Sequence, residues 1–425
     1  MSATQPTRLL DVAQVRELFD LRGGSFAFTG GTFLGDPYPR WHELRESGPV
    51  HEGTLHELTG FDGDAFFHGV PDPDRPHYST FSFETVDEAH RNTEVFASSA
   101  AAIEGLQPEA GFSVMNSMLT MDGTRHRRYR TLVQPSFVPP KARWWITNWI
   151  ESTVHALINS FVEDGRAELN VDFCAAIPVL TITSSFGIPA ELALQVRAEW
   201  ADPEKLIAIL EPIVQARRTQ PADDLISVLV EAEMTDEDGS VSRLSDNEIY
   251  SFASLLLGAG SGTTWKQMGI TLAALLTRPE LLARVVEDRD LLRAAIEESV
   301  RWNATDPMFS RWVTRDTALG GTAIPKGAVL HLCLGAANRD PARWERPDEY
   351  DPHRPLKAGA GFGGGPHICL GMHVARAEML TGIGALLDRL PNLRLDPDAT
   401  PPEIIGLYER GATELNVVFD PGEQI

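Results

Sequence analysis

The stretch "GFGGGPHICLGMHVARAE", residues 361 to 378, decides how this chain is read. It sets Cys369, one of only three cysteines in 425 residues, between a glycine run and a segment with helical spacing. Gly363, Gly364 and Gly365 in succession cost backbone entropy unless a positive φ or a close approach is required. A thiolate near a helix N-terminus is favoured by the free N–H groups and the positive end of the dipole. Arg376, seven residues on, adds a cation. Gly371 and Ala375 fall on the side of the expected helix nearest Cys369, where small residues let a flat object lie close to the backbone.

A thiolate, a flat partner and a cationic neighbour together point to a haem with an axial cysteine. Two other readings fit the residues taken alone. One is a buried cysteine after a glycine-rich turn. The other is a zinc site using His367, Cys369 and His373, which lacks a fourth ligand and any usual spacing.

Working outward, Cys174, Cys333 and Cys369 lie far apart, and an odd count with no paired spacing does not describe a disulfide framework. A reducing cytoplasm is the expected location. The N-terminus has no unbroken apolar run of the signal-peptide kind, and no stretch is apolar and long enough to suggest a transmembrane helix. The formal net charge of −23 argues against nucleic acid as a partner. Apolar content of 43% supports a large core, and the scatter of Pro and Gly favours one large domain over several small ones.

Helical spacing dominates after about residue 120, in "KARWWITNWIESTVHALINSFVED", "PELLARVVEDRDLLRAAIEESVRW" and "HVARAEMLTGIGALLDRL". Ser245 with Glu248 reads as a capping box that opens a helix running to about Leu276, roughly 45 Å long. "ALGGTAIPKGAVLHLCLG" reads as a hairpin and "TELNVVFD" as a terminal strand. The expected class is mainly α with a small β part.

At this point the chain resembles a known family. F-G-x-G-x-H-x-C-x-G is the haem-ligand pattern of cytochromes P450, and Phe362, Gly363, Gly365, His367, Cys369 and Gly371 match every fixed position. The resemblance implies a cytochrome P450 fold, haem b as cofactor and Cys369 as the iron ligand. It also implies that Phe362 packs near the sulfur, that His367 bonds a propionate and that the helix bearing Ala375 lies under the porphyrin.

The same resemblance extends over roughly residues 35 to 420, with residues 1–34 as an N-terminal extension and 35–425 as the haem–thiolate domain. Glu298 and Arg301 match its E-x-x-R pair, with Arg354 as the expected third member of a structural triad. "MDGTRHRRYRTLVQPSF" is similar to the segment that grips the haem; His126 and Arg130 share a helix face, and an anion between them would relieve their repulsion. Arg311 matches another propionate-binding arginine. The bland alternative for His126 and Arg130 is a solvated basic face.

The family's Ala-Gly-x-(Asp/Glu)-Thr-Thr pattern is met by Ala259, Gly260, Thr263 and Thr264, but the acid is replaced by Gly262. Thr263 is the expected hydroxyl on the dioxygen side; its alternative is back-bonding within the helix. The missing carboxylate leads to the expectation that water in a gap beside Gly262 takes its place, against the alternative that Gly262 makes room for substrate. The roof segment Ala190–Gln220 looks short by several turns, which implies either a reduced roof over an open pocket or a chain from which part has been removed.

These resemblances imply a monooxygenase that uses dioxygen on an apolar small molecule. No dinucleotide fingerprint or iron–sulfur cysteine cluster occurs, so electrons are expected from a ferredoxin or flavodoxin with an NAD(P)H-dependent reductase. Arg127, Arg128 and Arg346 are weak candidates for that contact. Pocket candidates are the loop Ile103 to Met115, Gly258 with Ala259, Asp306 to Phe309, and Leu407 with Tyr408. The alternatives are a peroxide- or nitric-oxide-using haem–thiolate enzyme, and a haem protein that binds ligands without turnover.

Overall fold

The fold was obtained as a computed structural model, which describes residues 10–23, 33–61, 75–99, 117–200, 202–235 and 239–425. The loop Ile103 to Met115 lies outside the described residues.

Helices form the bulk of the molecule, as their apolar spacing demands. Five of them enclose the main core: Glu151–Asn159, Ala176–Ser185, Asp246–Gly262 with its continuation Thr264–Leu276, Asp290–Trp302 and Met372–Arg389. Trp145, Phe173, Met268 and Ile383 lie in that core, each almost wholly buried. The segment assigned to an N-terminal extension contributes to it. Asp11 caps the helix Val12–Leu18, Val15 is buried, and the Phe19 ring meets Trp265 edge-on at 5.4 Å.

A five-stranded sheet makes the smaller layer, in the order Val50–Glu52, His77–Thr80, Val329–Cys333, Met308–Val313, Phe96–Ala97. The second and third strands are parallel and the other pairs antiparallel. Every residue of "VLHLC" is buried, which suits a central strand covered on both faces. The expected hairpin is real but shorter than the stretch that announces it. It joins Thr317–Leu319 to Thr322–Ile324, and Val329–Cys333 leaves it for the large sheet. The terminal strand forms at Asn416–Val418 and pairs with Arg394–Leu395 and Arg166–Glu168.

The long helix does begin at the capping box of Ser245 and Glu248, both halves of which are made. It is not continuous, however. The helix ends at Gly262 and resumes at Thr264, with Thr263 at φ −100°, ψ −43°. Glycines weaken the helix there, and the Thr263 hydroxyl donates to the Ala259 carbonyl at 3.3 Å, competing with the backbone ladder. Among the described residues no helix is long and apolar enough to cross a membrane.

Candidate functional site

The cysteine loop is held by backbone bonds of its own. Cys369 N–H donates to the Phe362 carbonyl at 2.8 Å, and Gly363 N–H to Ala360 at 2.8 Å. Gly363 and Gly365 have φ of 71° and 59°, in the left-handed region where a side chain is strained. Gly365 is also the point of closest approach, since a Cβ there would stand 2.1 Å from the His90 carbonyl oxygen on the helix Phe83–Arg91. Both reasons for a glycine run are therefore met.

Cys369 is the exposed cysteine, whereas Cys174 and Cys333 are fully buried. The helix that follows starts at Met372, so the thiol lies ahead of its first turn. Although the residue is exposed, protein atoms packed around its sulfur raise the Cys369 thiol above its ordinary value. The Gly371 N–H, Arg130 and Arg376 act the other way without overcoming it, and Asp306 adds to the rise. The protein on its own keeps this thiol protonated; a coordinated metal ion would remove the proton.

Beside the loop the expected cationic groups converge. His126 on the helix Gly123–Val133 is buried, and its ring lies 4.1 Å from that of His367. Arg130, one turn on, donates from Nη2 to the Ile368 carbonyl at 2.7 Å. The solvated-face alternative thus fails for His126, while Arg127 and Arg125 on the same helix do face solvent. Burial, His367 and Arg130 together push His126 down to about 4. His367 itself meets Asp122 at 3.3 Å. Burial works to raise the Asp122 carboxyl, but hydrogen bonds from His367, Ser99 and Ser98 hold it below the usual range.

Arg311 comes from the strand Met308–Val313. Nη1 donates to the Ser310 carbonyl at 2.8 Å, and its buried Nε has no partner among the described residues. Burial pushes its guanidinium down to about 10, with only Asp122 opposing. Leaving a buried charged donor unsatisfied is costly, so the site calls for a further anion. Next to it, a Cβ added at Gly371 would meet nothing within 4 Å, so the face beside Cys369 is open. An open flat face, an accessible sulfur and a half-satisfied set of cations fit a flat metal-centred dianion. A haem with its two propionates is such a group. For the zinc alternative, no cluster of three or more His, Cys, Asp or Glu able to hold a metal ion occurs among the described residues.

The triad forms as expected. Arg301 donates from Nε and Nη2 to Glu298 at 2.8 and 2.7 Å, and Arg354 Nε reaches Glu298 Oε1 at 3.4 Å. Arg301 also donates to the carbonyls of Asn338, Pro347 and Glu349, which ties the segment leading to the cysteine loop to the helix Asp290–Trp302. Phe362 carries the Arg376 guanidinium over its ring at 4.5 Å, and that arginine pairs with Glu297.

On the other side, the glycine helix is crowded at two points. A Cβ at Gly258 would stand 2.5 Å from the Trp200 ring, and one at Gly260 would stand 2.8 Å from Ile182. Ala259 is exposed and Thr263 half-buried. Thr263 makes the back-bond that its bland reading requires.

The roof segment carries the helices Ala193–Glu199 and Pro203–Thr219. It closes down on the glycine helix: Trp200 covers Gly258, and Arg197 Nη1 lies 3.6 Å from a Gly262 Cβ. The expected gap beside Gly262 therefore faces a buried guanidinium, which leaves little room for a water chain.

Of the buried ionisable residues that escaped the sequence reading, three lie on the helices just described. Arg197 lies over the Phe19 ring and donates to Ser261, while Lys266 pairs with Glu409 at the turn beside Leu407 and Tyr408. Glu378, in the helix after Cys369, is 3% exposed, and burial pushes its carboxyl up to about 8. The signal available for Lys266 and Glu378 was a charge set among apolar residues on a helix with no partner at i±4. Arg197 carried none, because its partners come from distant segments.

The cytochrome P450 family profile matches residues 200–407. A vitamin D(3) 25-hydroxylase of Pseudonocardia autotrophica is 30% identical over 380 residues, 86% of this chain and 89% of the relative. The cytochrome P450 monooxygenase PikC of Streptomyces venezuelae is 29% identical over 393 residues, 88% of either chain. Among solved structures, P450BioI in complex with an acyl carrier protein ligated to hexadec-9Z-enoic acid is similar with a TM-score of 0.77. That similarity carries 26% identity and covers 92% of this chain and all of that one.

Proposed function

Because the chain belongs to the cytochrome P450 family, a family of haem b oxidoreductases, we propose that it is a monooxygenase acting on an apolar small molecule with electrons from a separate carrier. The observation that carries this reading is the loop holding Cys369 accessible beside an open face and a set of cations short of an anion. Haem, when bound, supplies an iron whose thiolate ligand favours cleavage of the O–O bond.

The chain's own residues have four tasks. Cys369 would ligate the iron, with the Gly371 N–H donating to its sulfur. Arg130, Arg311, His126 and His367 would hold the propionates. Ala259 would face the flat group on its other side, where Thr263 would present its hydroxyl. Trp200 and Phe309 would shield that side from water and give the substrate an apolar surface. Leu407 and Tyr408, pocket candidates by resemblance, are both fully buried.

Removing both Arg130 and Arg311 is expected to loosen the cofactor. Each charge-assisted hydrogen bond contributes about 1.5–3 kcal/mol, so the double alanine variant should lose haem to apomyoglobin roughly 10-fold faster or more. Transfer at the parent's rate would remove the propionates from these residues.

The test of the function is reconstitution. With NADPH alone the purified protein is expected to oxidise no substrate, and a ferredoxin with its reductase should start turnover. Candidate substrates are found by the shift they cause in the haem Soret band. Turnover from NADPH without a carrier would defeat the proposal of an external electron source. Faster turnover with hydrogen peroxide than with the carrier chain would favour the peroxide-using alternative, which the absence of an acid at Gly262 supports.

A further inference from the structure

Residues 10–23 have no task in the function above, yet they are well packed. A helix of seven residues, such as Val12–Leu18, has little stability of its own in water, so its contacts hold it in place. Val15, Phe19 and Leu21 are 1%, 6% and 7% exposed. The helix lies against the roof helix Ala193–Glu199. Just past it, Phe19 meets Trp265 of the continued glycine helix edge-on. A Cβ added at Gly411 would stand 2.9 Å from the Leu21 side chain. Gly411 begins the strand that pairs with Ile404–Ile405, and Leu407 and Tyr408 lie in the turn between the two. One short segment thus touches the roof, the glycine helix and that turn.

The roof helix is also seven residues long and needs the same support. Just beyond its end the Ser254 hydroxyl donates to the Trp200 carbonyl at 2.8 Å. One turn earlier, Arg197 is gripped from two sides. Its guanidinium carbon lies 5.3 Å from the centroid of the Phe19 ring, and Nη1 lies 3.5 Å from the Ser261 hydroxyl. Arg197 is 7% exposed, and a guanidinium over an aromatic face is held more strongly where water is excluded. Gly262, next to Thr263, leaves the space into which this guanidinium fits. The N-terminal segment and the glycine helix therefore hold the roof helix between them at Arg197.

We propose that Phe19 is a positioning residue for substrate entry. Acting through Arg197, it latches the roof helix onto the glycine helix and restricts the face of Ala259 and Thr263 to molecules small enough to pass a fixed roof. This rests on the monooxygenase reading above. Phe19 touches neither substrate nor cofactor. Loosening the latch widens the way in and leaves the Cys369 loop as it was. If the segment served only the core, small and large ligands would be affected alike.

Azoles that bind haem iron report entry by the Soret shift they cause on arrival. Stopped-flow association of imidazole and of the bulkier 4-phenylimidazole with the purified holoprotein gives a size preference that does not depend on turnover. Phe19→Leu keeps an apolar side chain and removes the ring. It should speed 4-phenylimidazole by about tenfold, the scale of a lost desolvated cation–π contact, and leave imidazole nearly unchanged. Phe19→Tyr keeps the ring and should match the parent. Arg197→Gln removes the charge and should behave like Phe19→Leu. In both of those variants, deuterium exchange should rise over residues 193–200. Phe161→Leu removes a buried ring from the same core, at its contacts with Phe173 and Phe419, and should change neither readout. Parent rates for both azoles in Phe19→Leu, or equal speeding of both, overturn the proposal. So does the same change of size preference in Phe161→Leu, the mark of general loosening. The failure of the underlying reading looks different: the parent itself would then lack the thiolate–haem carbon monoxide band and show no Soret shift with either azole.

Discussion

Cys369→Ser is expected to abolish the absorption band that marks thiolate-ligated haem in reduced protein treated with carbon monoxide, and substrate oxidation with it. Cys369 is the exposed cysteine, and it opens on the face where an added Gly371 Cβ would meet nothing. A serine oxygen in its place is a far weaker ligand and withdraws the electron donation on which oxygen cleavage depends. Cys174→Ala and Cys333→Ala should keep the band. Cys174 and Cys333 are both fully buried within hydrophobic clusters of the core, so neither opens on that face. A band that survives Cys369→Ala and vanishes with either of the others would move the iron elsewhere.

The second large effect is expected at Arg301. Its side chain and that of Glu298 are each 5% exposed, and the guanidinium makes five hydrogen bonds, two to Glu298 and three to the carbonyls of Asn338, Pro347 and Glu349. Arg301→Ala leaves the Glu298 carboxylate with Arg354 and the Asp351 N–H, and strands three carbonyls. Breaking a buried pair in this way costs about 3–5 kcal/mol, a large part of the roughly 5–15 kcal/mol that holds a domain folded. Arg301→Lys should recover only part, because an ammonium cannot reproduce the planar fork. Urea unfolding of the two variants measures this. A loss under about 1 kcal/mol in Arg301→Ala would mean that the pair behaves as a surface one.

What could be read from the sequence was what is local. Cys369, His367 and the glycines of their loop act within ten positions, and Glu298 with Arg301 within one helical turn. For these, spacing alone carries the geometry. The fold class followed from helical periodicity in the same way. The break at Thr263 was missed because a periodic apolar pattern continues across it, from Leu257 to Met268, while the hydroxyl that competes for the Ala259 carbonyl leaves no mark on that pattern. The guanidinium over Gly262 was missed for the opposite reason: Arg197 arrives from a separate helix, and nothing in either segment names the other.

The hydrogen bond from Arg130 to the Ile368 carbonyl joins residues 238 positions apart. At a synthesis rate of roughly 5–20 residues per second, those partners leave the ribosome some 10 to 50 seconds apart. For all that interval the basic helix around His126 exists without the loop that completes its site. The two halves of the site can meet only once the chain has been made past residue 369.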